Sequence, residues 1–197
     1  MVAIFVRTES FREFRTYYPI TFLLLCIHIL LWALFLIPAQ PIQSLFYNFV
    51  GYNGAIGQGE YWRLATSMFL HNSFAHLLFN SFSLFLFAPR LERELSRYKF
   101  LGFYIACGLL ANVLTFIIQP AYYSHVGASG AIFGIFGAYI YFIRNKTIYF
   151  TKSDQQIVIV LLIIGLLSGF LNSGVNNIAH IGGFISGYLL TILFARK

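Results

Sequence analysis

The run Gln156–Leu171 reads QIVIVLLIIGLLSGFL, sixteen residues without a single charge. A helix of that length crosses most of the roughly 30 Å hydrocarbon core of a bilayer. Its apolar residues are continuous and do not alternate, which excludes the ten-residue strands of a membrane barrel. Five further runs of the same character stand at about 20–37, 73–89, 100–118, 127–143 and 177–194. The composition agrees with them. The 197 residues are 59% hydrophobic and 10% charged, where a soluble domain carries about a quarter charged residues. With so few charges to cover it, this apolar surface faces lipid, where the backbone must satisfy its own hydrogen bonds. The fold class predicted is all-α, a polytopic membrane bundle of six transmembrane helices.

The charges test that division. Thirteen Lys and Arg against six Asp and Glu give a net charge of +7, which in a soluble protein would suggest nucleic acid. Here their placement is the better guide. Arg7, Arg12 and Arg15 precede the first run; Arg90, Arg93, Arg97 and Lys99 follow the second; Arg144, Lys146 and Lys152 follow the fourth; Arg196 and Lys197 close the chain. Six spans put all of these on one side and only Arg63 on the other. By the positive-inside rule both termini are cytoplasmic. The expected location is the cell (plasma) membrane, with the bilayer and not nucleic acid as partner. The arginines ahead of the first run look like the start of a signal peptide. That run is too long for one, and Pro38-Ala39-Gln40-Pro41 is a poor cleavage site.

A single domain, 1–197, is expected, with 1–19 as a short cytoplasmic segment. The second span is expected to start at Ser73, because His71-Asn72-Ser73 is a polar break with capping side chains. The one long connection, 38–72, holds only two charges, Glu60 and Arg63, beside Phe46, Tyr47, Phe49, Tyr52, Tyr61 and Trp62. Such a segment reads as a lobe in the outer headgroup layer. Cys26 and Cys107 both sit in apolar runs, against a disulfide framework or thiolate metal site.

The fourth span opens Gly127-Ala128-Ser129-Gly130 and continues through Gly134 and Gly137; the sixth carries Ala179-His180, then Gly183 and Gly187. Glycines at these spacings let two helices approach closely. Both spans run inward from the outer face, so Ser129 and His180 lie at a similar shallow depth as a nucleophile and a base. On the second span His76 and Asn80 share a face, continued by Ser83, and both can donate to an oxyanion. A serine among glycines is by itself more often a packing residue, and Gly165/Gly169 form a third pair with no chemistry attached. An ionisable group inside a span carries more weight. His28, without an evident partner, reads as packing.

The rival is a metal site from His71, His76, His125 and His180. His71 and His76 are five residues apart, about 140° around a helix, whereas zinc pairs on a helix favour a spacing of four. All six acids lie at span ends or outside, which also removes an aspartyl protease and weighs against a proton-coupled carrier. Neither a metal nor a cofactor is expected.

With these residues in place the chain resembles the rhomboid intramembrane serine proteases in their compact six-span form, over nearly its whole length. The resemblance rests on Trp62-Arg63, His71, His76 with Asn80, Gly127-Ala128-Ser129-Gly130, and Ala179-His180 with Gly183 and Gly187. It implies Ser129 as nucleophile, His180 as base and His76 and Asn80 as oxyanion donors. Arg63 would brace the first loop, Gly127, Gly130, Phe133 and Gly183 would support the site, and the region Phe170–Ile178 would gate lateral entry. The implied substrates are membrane-spanning proteins, cut near the outer face. Two departures stand out: Phe133 replaces a tyrosine found in some members, and Ser96 replaces the glycine of a Glu-x-x-x-Gly turn begun by Glu92. The alternatives are a catalytically silent rhomboid-like binder of membrane clients, or a small carrier. A carrier needs a polar route through the full depth, whereas Asn72, His76, Asn80, Asn176 and Asn177 cluster toward the outer half.

Overall fold

The computed structural model describes residue 5, residues 7–171 and residues 174–194. Arg196 and Lys197 of the basic tail, and Asn172 and Ser173 of the expected gate, lie outside the described residues.

Helix α1 (Phe11–Tyr17) starts at a capping box in which Ser10 and Glu13 satisfy each other's backbone N–H. Pro19 then opens α2 (Pro19–Phe35) at a 109° bend to α1, as suits a proline in the first helical turn. The segment that follows is folded: α3 (Gln40–Phe49), strand β1 (Gly51–Tyr52), the short helices α4 (Asn53–Gly57) and α5 (Arg63–Thr66), and a 3-10 turn at Ser67–Phe69. Then come α6 (Phe74–Leu95), α7 (Arg97–Ile118), strand β2 (Ser124–His125), α8 (Ser129–Asn145), α9 (Lys152–Leu171) and α10 (Asn177–Phe194). The all-α expectation needs one amendment. Strands β1 and β2 form a two-residue antiparallel ladder, Gly51 opposite His125 and Tyr52 opposite Ser124. It ties the 38–72 segment to the approach to α8.

Helices α6, α7, α9 and α10 are long and apolar enough to cross a membrane, and the bent pair α1–α2 makes a fifth if taken as one span. The chain is an integral membrane protein. Helix α8, at 17 residues, is the central one: every residue from Gly130 to Tyr139 is buried. Its neighbours α7, α10, α6 and α9 surround it.

Two buried ionic groups hold the ends of elements. Glu92, in the last turn of α6, accepts hydrogen bonds from the N–H groups of Ile20 and Thr21 (2.9 and 2.8 Å) and from the Thr21 hydroxyl (2.7 Å). It thereby caps α2 from another helix and offsets the unsatisfied donors and positive dipole there. Arg63 donates to Glu60 (2.6 Å) and to the carbonyls of Tyr47 (2.6 Å) and Val50 (2.8 Å). One guanidinium thus closes the segment between α3 and α5, each charged hydrogen bond contributing about 1.5–3 kcal/mol.

Ser73 caps α6, accepting from His76 N–H at 3.2 Å. At the other end Ser96 adopts φ 71°, ψ 159°, a region that favours glycine. The turn therefore keeps the glycine-type conformation although the residue is serine.

Candidate active site

Gly127 initiates the site. Its φ of +122° is open to glycine and strained for other residues, and its N–H donates to the Ser67 carbonyl at 2.9 Å. The loop is thus held by the 3-10 turn, which is held in turn by Asn112 of α7. The Asn112 amide donates to the Leu64 carbonyl (2.8 Å) and the Ser67 hydroxyl (3.1 Å). Two residues after Gly127, Ser129 is the first residue of α8 and half-buried. The opening N–H groups of a helix have no intrahelical acceptor.

The seam between α8 and α10 brings His180 beside this point. A Cβ on Gly183 would overlap the carbonyl of Gly130, one on Gly187 that of Gly134, and one on Gly137 that of Phe184. At these three glycines backbone rests on backbone. At the upper end of the seam a Cβ on Gly130 would lie 3.6 Å from the Ala179 carbonyl oxygen, so the residues next to Ser129 and His180 touch. His180 is buried, and its ring stacks on Phe133, one turn beyond Ser129, with centroids 4.0 Å apart and planes 9° from parallel. The phenyl ring fixes the imidazole's orientation without a hydrogen bond.

Asn176 aims α10. Its side-chain oxygen accepts the Ala179 N–H (3.0 Å), an N-cap contact, while its amide donates to Thr115 of α7 (3.0 Å). Helix α9 closes the far side, where Gly165 makes room for the Phe133 ring: a Cβ there would lie 2.6 Å from its Cζ. The Gly165 carbonyl also comes close to the imidazole, yet His180 Nδ1 is buried without a hydrogen bond of ordinary geometry. Among the described residues the Ser129 hydroxyl makes no side-chain hydrogen bond. Catalytic hydrogen bonds are commonly long before substrate binds.

From α6, His76 and Asn80 converge on the same loop. A Cβ on Gly127 would lie 2.6 Å from His76 Nε2 and 3.6 Å from Asn80 Nδ2. The Asn80 amide is buried with no protein acceptor, which leaves a donor beside the loop that carries Ser129. His76 Nδ1 is 2.9 Å from the Asn72 side-chain oxygen. If Nδ1 carries the proton of a neutral ring, Nε2 is an acceptor, so the geometry supports Asn80 more directly than His76 as a donor.

The four histidines of the rival metal reading are not gathered, and no group of three or more His, Cys, Asp or Glu among the described residues is placed to hold a metal. His125 stacks on Tyr123 under Gly51, and burial pushes its imidazole down to about 4. His71 does not share a helix with His76. It precedes α6, after Leu70 in an extended conformation, and its ring lies 5.0 Å from that of His76 and 5.1 Å from that of His28. His28 therefore has a neighbour that the sequence did not reveal. Burial, with His28 and His76 alongside, holds His71 far below the ordinary histidine range, so it is neutral. Sequence reasoning also missed Asn112 and Thr115. An Asn three residues before Ala179 was the one legible sign of the Asn176 cap.

An integral membrane helix bundle enclosing a serine, a stacked histidine and an unpaired amide defines the class. Comparison with known proteins gives the family. Residues 58–197 match the Rhomboid domain. The chain is 41% identical over 193 residues to the "Putative rhomboid protease YdcA" of Bacillus subtilis (strain 168), covering 98% of this chain and 97% of that protein. It is 40% identical over 136 residues to the rhomboid protease GluP of the same organism, covering 69% of this chain and 26% of that protein. With the rhomboid protease AarA of Providencia stuartii it shares 32% over 203 residues, covering 89% and 72%. The chain belongs to the rhomboid family.

Proposed function

We propose that this protein is an intramembrane serine endopeptidase that cuts transmembrane segments of membrane proteins near the outer face. The observation that carries the reading is the joint geometry of His180 on Phe133, Ser129 at the start of α8, and the unpaired Asn80 amide beside Gly127. Named rhomboid proteases among its relatives support the same activity.

In the proposed reaction His180 takes the hydroxyl proton of Ser129 as the oxygen attacks the substrate carbonyl. The oxyanion is held by the backbone N–H groups opening α8 and by the Asn80 amide, with His76 beside it. The proton passes from His180 to the leaving amine and the C–N bond breaks. Water, deprotonated by His180, then releases the acyl group from Ser129. No described carboxylate hydrogen-bonds to His180, so the pair acts as a dyad oriented by stacking on Phe133. In this reading α2, α6, α7, α8, α9 and α10 are six spans with both termini cytoplasmic. The 38–72 segment rests in the outer headgroup layer of the plasma membrane, and α9 admits the substrate laterally.

The test is cleavage of a single-span substrate by the purified protein in proteoliposomes. Wild type cuts, while Ser129→Ala and His180→Ala are silent with unchanged melting temperatures. Asn80→Ala lowers kcat about 100- to 1,000-fold, the loss typical of one oxyanion donor. Cleavage by the Ser129→Ala protein at the wild-type rate sinks the assignment.

A further inference from the structure

The cleft at the opposite, basic end of the bundle has no part in this chemistry. It lies between the α1–α2 bend and the turn from α6 to α7. About 410 Å³ in volume, it is lined by Tyr17, Glu92, Arg93, Ser96, Arg97 and Tyr98. A second cleft of about 360 Å³ shares Tyr17, Arg93 and Arg97 with it and adds Thr16.

The charge balance of this cleft is uneven. Arg90 nearby is paired with Glu94 at 2.7 Å. Both oxygens of Glu92 are engaged by the backbone and hydroxyl donors at the start of α2. Arg97 makes one hydrogen bond, from Nη2 to the Thr16 carbonyl at 3.2 Å. Neither Arg93 nor Arg97 has a carboxylate partner among the described residues. Two guanidinium groups four residues apart thus face one cleft with most of their donors free. Helix α7 also begins at Arg97, and the Ser96 side chain does not cap it, which adds a partial positive charge on the same side.

We propose that this cleft binds the phosphate oxyanion of an anionic phospholipid headgroup, with Arg93 and Arg97 as the binding residues. Guanidinium groups match phosphate oxygens in pairs. The lipid is favoured over a free phosphate by the setting. Helix α1 turns 109° away from α2 and exposes Phe11, while Tyr17 and Tyr98 at the mouth of the cleft are exposed aromatic residues of the kind found at headgroup level. A bound headgroup would join α1 to the α6–α7 turn, where only the Arg97–Thr16 hydrogen bond is described between α1 and that turn.

The test uses the purified full chain in a nonionic detergent. Short-chain phosphatidylglycerol, short-chain phosphatidylcholine and inorganic phosphate are each titrated while thermal unfolding is followed. Phosphatidylglycerol raises the melting temperature saturably, and the other two do not. Arg93→Gln with Arg97→Gln weakens its apparent affinity about thirtyfold, on the order expected for two interfacial basic residues. Arg144→Gln with Lys146→Gln, removing the same charge elsewhere on the basic side, leaves it unchanged. Arg93→Gln alone, at a residue with no described protein contact to lose, gives a partial loss, and Arg93→Lys recovers part of it. The proposal is overturned if the Arg93/Arg97 variant binds as wild type does, or if the control variant loses as much. Inorganic phosphate binding as tightly as the lipid overturns the lipid assignment and leaves a phosphate site.

Discussion

Helices α8 and α10, on one side of the site, and α9 on the other, carry the same small-residue motif and use it in opposite ways. Gly183 and Gly187 of α10 rest on the Gly130 and Gly134 carbonyls of α8 so closely that an added methyl group would overlap them, while Gly130 and Gly134 themselves make room for Ala111 and Cys107 of α7. Gly165/Gly169 bring α9 to no backbone. They leave sockets for side chains, the Phe133 ring and the Asn177 carboxamide. The surroundings differ accordingly. Helix α8 is buried along its middle, whereas α9 buries only Asp154 and Val158, and its Phe170 is 79% exposed. A Gly-xxx-Gly pair thus permits close approach without deciding what approaches. Backbone contact gives a close seam that holds the start of α8 against the start of α10. Side-chain contact gives a helix that touches the site and is otherwise held weakly.

The largest effect expected is in the seam. Gly183→Ala forces backbones apart and lowers stability by about 3 kcal/mol or more, toward the severe end for overpacking, as read by denaturant titration in detergent. A cost below about 1 kcal/mol would break the distinction between the two regions.

Next comes acid, acting on neither helix pair but on the ladder that pins the 38–72 segment. The buried imidazole of His125 is pushed down to about 4 from 6.5. The unfolded chain therefore binds more protons than the folded one between those values. Stability is full above pH 6.5 and falls as the pH drops toward 4, by about 2–3 kcal/mol on the linkage relation. His125→Phe flattens this part of the stability–pH curve; an unchanged curve shows that the ring is hydrated or paired.

Gly165→Ala sharpens the comparison most directly. The added methyl meets the Phe133 ring that supports His180, and α9 has little packing to resist a small displacement. Cleavage falls about tenfold, equivalent to about 1.4 kcal/mol, while unfolding shifts by less than about 1 kcal/mol. A stability loss equal to that of Gly183→Ala would mean that α9 is as firmly seated as α10. The smallest effect lies away from both regions. Ser96→Gly relieves a left-handed backbone conformation and stabilises by about 1 kcal/mol, measurable as a rise in melting temperature with unchanged activity.

Much of the seam was legible in the chain. Gly130, Gly134 and Gly137 recur on one helical face, and so do Gly183 and Gly187, because helical spacing follows from the period alone. The start of α6 was legible for the same local reason, Ser73 being able to cap three residues ahead. The neighbours of His28 were not, since His71 reaches it from a linker that no periodicity describes. Glu92 looked like an acid at the end of a span. That it caps a helix some seventy residues earlier in the chain follows only from the packing of α6 against α2.

The sequence by itself determined that this chain lives in lipid as helices, and where most of them lie. Long apolar runs leave the backbone no partner but itself. It also determined which residue types share a helical face. The tertiary structure alone decided which glycine meets a backbone and which meets a ring, and that Asn80 places an unpaired amide beside Gly127 while Asn72 turns its oxygen to His76. Those outcomes depend on how helices distant in sequence are placed against one another, and spacing along one helix carries no information about its partner.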